Sequence, residues 1–328
     1  MLYEFALTVG LFERFPPDVE AVASQALVQV LNDLLRNGVI ANLHNGVWWS
    51  EVQRKLGTIH PRIQPLIMSL LTKLHDRGLI VPRNKETAAC PRNDKEWLNE
   101  AIASHERQNL YGIISRKASI DARPNCPACT TSIEDVLLNP LWNGRQQSRR
   151  VPRTASGFEA ALTPVLGTAR SVMLIDPYIA FRVHRGNVEF LEMLEVVDRC
   201  LMPDNRRCPL SLIEIHTVDA PEIANDAYPK IIEKIKRAMP KLRSSNATFT
   251  FMAWQERPNG LRFHNRRILT NHAAISCPWG LDIHDQPKNI AGEDEWSLLE
   301  ENVRDAIWQE FQQNTSPYDL KQKLSWRE

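Results

Sequence analysis

From Thr154 onward the chain alternates apolar runs too short to be helices with longer stretches that carry a helical stripe, and few folds satisfy that order. Phe158 to Leu166 is predicted helical, and Ser171-Val172-Met173-Leu174-Ile175 is a β-type run. Val188 to Cys200 is an amphipathic helix, Leu210 to His216 the next strand, and Pro221 to Lys241 a long helix with Lys230, Lys234, Lys236 and Lys241 outward. Thr248 to Trp254 and the run around 261–269 supply further strands. The order predicts an α/β domain, a mixed sheet with flanking helices. Glu293 to Phe311 is predicted to close it as one helix, with Trp296, Leu299, Val303, Ile307, Trp308 and Phe311 on its apolar face.

The first half follows a different rhythm. Pro16-Pro17-Asp18 opens a helix whose stripe runs through Val22, Ala26, Leu27, Val30, Leu31, Leu34 and Leu35 and stops at Asn37-Gly38. A second helix follows Gly46 and breaks at Gly57. A third begins at His60-Pro61 and ends at Asp76-Arg77-Gly78, ahead of the strand-like Leu79-Ile80-Val81. Helix, glycine turn, helix, short strand is the order of a winged helix-turn-helix. Residues 1–115 are therefore expected to form a mostly helical, winged-helix-like domain, with another helix from Trp97 to Ile114. In a DNA groove the 60–75 helix would offer His60, Arg62, Gln64, Lys73 and His75; as a packing device it would present them to solvent. Residues 116–153 form a connecting segment that ends in Arg145, Arg149, Arg150 and Arg153, a local phosphate-attracting stretch or a solvated linker. The α/β domain then spans 154–328.

Composition narrows the function classes. The 328 residues carry a formal net charge of +1, so any footprint for nucleic acid must be local. Thirteen glycines never cluster into a phosphate-cradling loop, which argues against ATPase, kinase and dinucleotide chemistry. Apolar runs are far short of a bilayer span and the N-terminus lacks a signal-peptide pattern, so a cytoplasmic protein is expected. Six cysteines in a chain of this length do not make a disulfide framework. Cys126 and Cys129 could give two zinc thiolates, but no second ligand pair lies nearby in sequence; neither metal nor cofactor is expected.

The stretch 261–282, LRFHNRRILTNHAAISCPWGLD, carries the chemistry. An extended segment would point His264 and Arg266 to one face, a nucleophile or proton donor beside an anion clamp. Asn271 follows, and Gly280-Leu281-Asp282 closes the stretch. It resembles the half-site of the phospholipase D superfamily, His-x-Lys-x4-Asp, and most of all a divergent, mostly prokaryotic single-motif branch. His264 stands in the His place, Arg266 in the Lys/Arg place, Thr270 in the Thr place and Asn271 in the Asp place, while Asn265 replaces the usual Asp after the His. Asp176-Pro177-Tyr178 at the end of a strand is a second point of similarity, with Asp176 placed to hydrogen-bond the His or a cation.

The resemblance implies a metal-independent phosphodiesterase that uses His264, with Arg266 on the phosphate and a second copy of the motif from a homodimer. Asn271 removes the carboxylate that would support an imidazolium; His272, Asp282 and His284 are the neighbours that could compensate. Two functions follow. In the first, a degenerate phospholipase D-like fold binds nucleic acid or a partner protein within a larger bacterial assembly, a setting in which antiphage defence is the family's associated role. In the second, the chain is a homodimeric nuclease. Asn271 and the near-zero net charge favour the first.

Overall fold

The computed structural model describes residues 2–201, 208–243, 245–283 and 293–327; His284 lies outside them. The chain divides into two compact units, 2–146 and 147–328. All six cysteines are free thiols. Among the described residues no helix is long and apolar enough to cross a membrane.

The first unit contains, in chain order, β1 (Tyr3–Leu7), α1 (Glu20–Asn37), β2 (Gly38–Asn42), α2 (Val47–Lys55), α3 (Gln64–Asp76), β3 (Ile80–Pro82), α4 (Asp94–Arg107), β4 (Gly112–Ser115), α5 (Lys117–Asp121), β5 (Thr130–Ser132) and α6 (Pro140–Asn143). Its five strands form one parallel sheet in the order β3-β2-β1-β4-β5. The expected mostly helical, winged-helix-like domain is thereby corrected. The helix–turn–helix–strand order is present, but β3 pairs parallel with β2 (Ile40 opposite Ile80) and makes no antiparallel wing. The expected connection over 116–153 contains α5, β5 and α6 of this unit and the first strand of the next. The expected helix from Trp97 to Ile114 ends at Arg107, and its last apolar residues, Ile113 and Ile114, belong to β4.

The strand order reverses direction at β1, so right-handed crossovers place helices on opposite faces, with a crevice at the carboxyl ends of β1 and β4. Asp94, the first residue of α4, fills it. Its carboxylate accepts from the Gly10 N–H at 2.8 Å, from Ser115 Oγ at 3.1 Å and from Ser119 Oγ at 2.6 Å. Thr8 Oγ1 donates to Ser115 Oγ in turn. A Cβ at residue 10 would overlap the Asp94 carboxyl group.

The second unit contains β6 (Ser148–Pro152), α7 (Ala155–Leu166), β7 (Ser171–Ile175), α8 (Ile179–Arg185), α9 (Val188–Leu201), β8 (Leu212–Val218), α10 (Tyr228–Ala238), α11 (Pro240–Arg243), β9 (Thr248–Gln255), β10 (Arg267–Thr270), β11 (Ala274–Ser276), β12 (Glu293–Leu298), α12 (Glu301–Glu310) and β13 (Asp319–Trp326). These build an eight-stranded mixed sheet, β13-β9-β8-β7-β10-β11-β12-β6. The alternation of strand and helix from Thr154 is observed. β7, β8 and β9 are parallel and step in one direction, which puts their crossover helices on one face. The opposite face carries Met173, Ile175, Met252, Trp254 and Leu269, packed with Phe263, Ile307, Phe311 and Tyr318. One helix is corrected: 293–298 is a strand, with Asp294, Trp296 and Leu298 buried at period two, and α12 begins only at Glu301. β6 and β13 are the two edges of the sheet, and Arg149, Arg150, Lys321 and Lys323 on them are exposed.

Gly10→Ala is expected to destabilise the protein by about 1–3 kcal/mol, the usual cost of overpacking. Gly57→Ala, where an added Cβ meets nothing within 4 Å, should stay within about 0.5 kcal/mol. Urea titration of the two variants, followed by circular dichroism, separates these outcomes.

Candidate functional site

The site lies at the carboxyl end of β7, where the chain leaves the sheet through Asp176-Pro177-Tyr178 and turns into α8. Strand β10 runs antiparallel to β7, with Arg267 opposite Ile175, so residues just before β10 arrive at the same end. Arg266 is delivered there by register. The turn after β11 completes the site: Cys277 N–H donates to the Arg266 carbonyl at 2.9 Å, and Gly280, at φ +95°, lies against the Arg266 side chain. A Cβ there would stand 3.2 Å from Arg266 Cδ and 3.7 Å from Arg182 Nη1, so glycine serves both the left-handed turn and the close approach.

The charged groups alternate along a chain. Arg266 Nε is 3.7 Å from Asp176 Oδ2, which is 3.7 Å from Arg182 Nη1; Arg182 Nη1 is 2.6 Å from Asp282 Oδ1, and Asp282 Oδ2 is 3.8 Å from Arg153 Nη2. Arg153 also donates to the Trp279 carbonyl at 3.2 Å and the Asp282 carbonyl at 3.0 Å, which pins the turn. Beyond Arg153 lies buried Asp294, whose Oδ2 accepts from Trp296 Nε1 at 3.0 Å. Each of the six members has a buried nitrogen or oxygen that no well-directed hydrogen bond satisfies. The Tyr178 ring sits beside both inner arginines, 5.5 Å from the Arg182 guanidinium and 5.2 Å from that of Arg266.

Burial is the leading influence on the two fully enclosed carboxyls. It raises Asp176 against the opposing pull of Arg182, the Tyr178 N–H and Arg266, and it raises Asp294 against Trp296 and Arg153. Burial also pushes the Cys277 thiol well up, reinforced by the charges of Asp294 and Asp176, so this cysteine is not an activated nucleophile. The charged chain borders an open cleft of about 460 Å³ lined by Tyr178, Phe181, Arg182, Arg185, Asn187 and Asp282.

Of the residues singled out in the sequence, Asp176, Arg266 and Arg153 come together here, and Asp282 joins them. The others do not. His264 is exposed, in an irregular stretch ahead of β10 rather than on a strand. Burial is the largest single influence on the nearby Glu256 carboxyl and raises it, but Arg262, the Phe263 N–H and His264 together hold that carboxyl below its usual value. Asn271 lies at the opposite end of β7, where its Oδ1 accepts from the Arg170 N–H at 2.8 Å. Five residue steps along β7 separate the two ends by about 17 Å. Thr270 and Asn271 thus build the β10–β11 turn; Thr270 Oγ1 accepts from the Ala273 N–H at 2.9 Å. His272 is buried there, its Nε2 3.3 Å from Thr168 Oγ1, away from Arg266.

The arginines of the connecting stretch divide. Arg145 is internal to the first unit, paired with Asp33 at 3.0 Å and stacked 3.4 Å over the Trp142 ring. Arg149 and Arg150 stand on edge strand β6, and Arg62 is exposed in the first unit. Cys129 Sγ is 3.7 Å from the His105 ring, while Cys126 Sγ turns to the Arg123 carbonyl. Among the described residues no group of three or more His, Cys, Asp or Glu is arranged to hold a metal.

Arg182, Arg185 and Asp294 are the site residues that sequence reasoning missed. The available signal was spacing: Arg182 follows Tyr178 by four and precedes Arg185 by three on a helix that leaves Asp-Pro-Tyr, which puts all three on one side. No protein-family model and no curated protein sequence matches this chain.

The raised Asp176 carboxyl makes a signed prediction. Such a group favours folding while protonated in both states, below the ordinary aspartate value of about 3.9, and that contribution is lost as pH rises through the higher folded value. Asp176→Asn abolishes the titration and keeps an oxygen for the Tyr178 N–H. The melting temperature of the variant relative to the parent should therefore increase from about pH 3 to about pH 7. A difference that does not change with pH would contradict the assignment.

Proposed function

We propose that the second unit binds nucleic acid at the cleft beside Asp176 and does not cleave it, acting as the recognition component of a larger assembly built on a phospholipase D-like fold. The observation that carries this reading is the placement of Arg182 and Arg185 on one open cleft, with Arg153 and Arg266 behind them. Guanidinium groups match phosphate oxygens in geometry and remain charged at all relevant pH. Asp176 and Asp282 neutralise part of that charge and fix the arginines in position, so the cleft recognises an anion at little conformational cost.

The same geometry argues against turnover within one chain. His264 stands outside the charged chain, and Asn271, in the place of the motif's carboxylate, is committed to the start of β7. A general base or nucleophile has to be oriented by a third group, and among the described residues nothing hydrogen-bonds His264.

Fluorescence anisotropy with labelled oligonucleotides tests the reading. Binding should weaken with salt, and Arg185→Ala should reduce affinity about fivefold and lower the salt slope by about 1, as expected for one lost phosphate contact. Arg185 is exposed, so the fold should be unaffected. In EDTA the oligonucleotides should remain intact. Cleavage that disappears in His264→Ala and tracks a dimer would replace this reading with the homodimeric nuclease, and capture of a protein with no affinity for nucleic acid would replace it with a protein-docking role.

A further inference from the structure

The aromatic residues around the cleft define which form of nucleic acid fits. Tyr178 is 42% exposed although its ring lies beside two arginines, so those contacts steady it and leave part of it open. Phe181 lines the same cleft, with the Arg185 guanidinium 4.2 Å from its ring centre. Trp279 is 74% exposed at the tip of the turn that Arg153 pins through its carbonyl. Large rings left in water cost solvation free energy; Tyr178 and Phe181 line the cleft beside arginines, and Trp279 belongs to the turn that brings Asp282 to the same lining.

We infer that the site takes single-stranded nucleic acid, with an unpaired base stacked on an aromatic ring of the rim and the adjoining phosphate on Arg182 and Arg185; this rests on the nucleic-acid reading above. A duplex offers its phosphates but keeps its bases stacked inside, where side-chain rings cannot reach them. An unpaired strand offers both, and aromatic platforms interleaved with arginines use both. The cleft, about 460 Å³, falls in the range that holds one small-molecule-sized unit, which suits one nucleotide. Asn187 in the lining spends its Oδ1 on the Phe190 N–H at 2.7 Å, so that acceptor is not offered to a base, and stacking itself accepts any base. The α8 platform is held from behind, where Lys234 Nζ donates to the Val183 and His184 carbonyls at 3.0 and 2.9 Å.

The test uses the full chain and three probes: a labelled 20-nucleotide single strand, the same strand annealed to its complement, and inorganic polyphosphate as competitor. The single strand should bind at least about tenfold more tightly than the duplex, and polyphosphate of equal charge should compete poorly. Trp279→Ala and Tyr178→Leu, checked by thermal melting, should each weaken the single strand about fivefold or more, and Trp279→Ala should leave polyphosphate binding unchanged. Equal affinity for strand and duplex, or full affinity in both aromatic variants, overturns the single-strand assignment and leaves the arginine site standing. Absence of binding to every probe overturns both.

Discussion

A carboxylate buried at the end of a β-strand must be compensated, and Asp176 is compensated from three directions. Arg266 arrives along β10, Arg182 from α8, and the Tyr178 N–H donates from its own turn at 2.8 Å. Removing either arginine would leave the buried carboxylate under-compensated, a loss of about 3–5 kcal/mol for a buried pair. The exit of β7, the start of β10 and the orientation of α8 are therefore tied to one group. Asp282 and Arg153 extend the tie to the 277–282 turn and to the strand that precedes α7.

The parts legible in the sequence were those whose signals are local. Strands β7, β8 and β9 are apolar runs bounded by polar turns, and α9 and α10 have clean stripes. The first unit's sheet was hidden for physical reasons. β2 starts at Gly38 without a loop after α1, so a helix stop concealed a strand, and β4 shares its apolar residues with a helix-like continuation of α4. β1 is a buried central strand of only five residues that a mixed apolar and polar stretch does not announce. β12 was absorbed into the helix beside it, because Trp296 satisfies either period.

The site was legible by halves for the same reason. Asp176 and Arg266 stand in short motifs with recognisable neighbours. Arg182 acquires meaning only through Asp282, 100 residues later in sequence, and through α8 being packed against β8. His264 and Asn271 were grouped with Arg266 by the resemblance to the phospholipase D motif. An antiparallel strand sends residues four or five apart to opposite ends of its neighbour, so Asn271 went to one end of β7 and Arg266 to the other. Both units present the carboxyl ends of parallel strands, and they differ in what occupies them. In the first the Asp94 carboxylate takes the Gly10 N–H and two serine hydroxyls; in the second an open cleft remains.

The long sheet of the second unit has a solubility problem at its margins. An unpaired strand edge is a template for another chain, and closure into a barrel is the one complete remedy. Here β6 sets Arg149 and Arg150 in solvent and β13 sets Lys321 and Lys323 there. Two copies meeting edge to edge would bring like charges together in low-dielectric surroundings. These side chains act as gatekeepers against filament growth, and they give the arginines of β6 a reason to exist that requires no ligand at all.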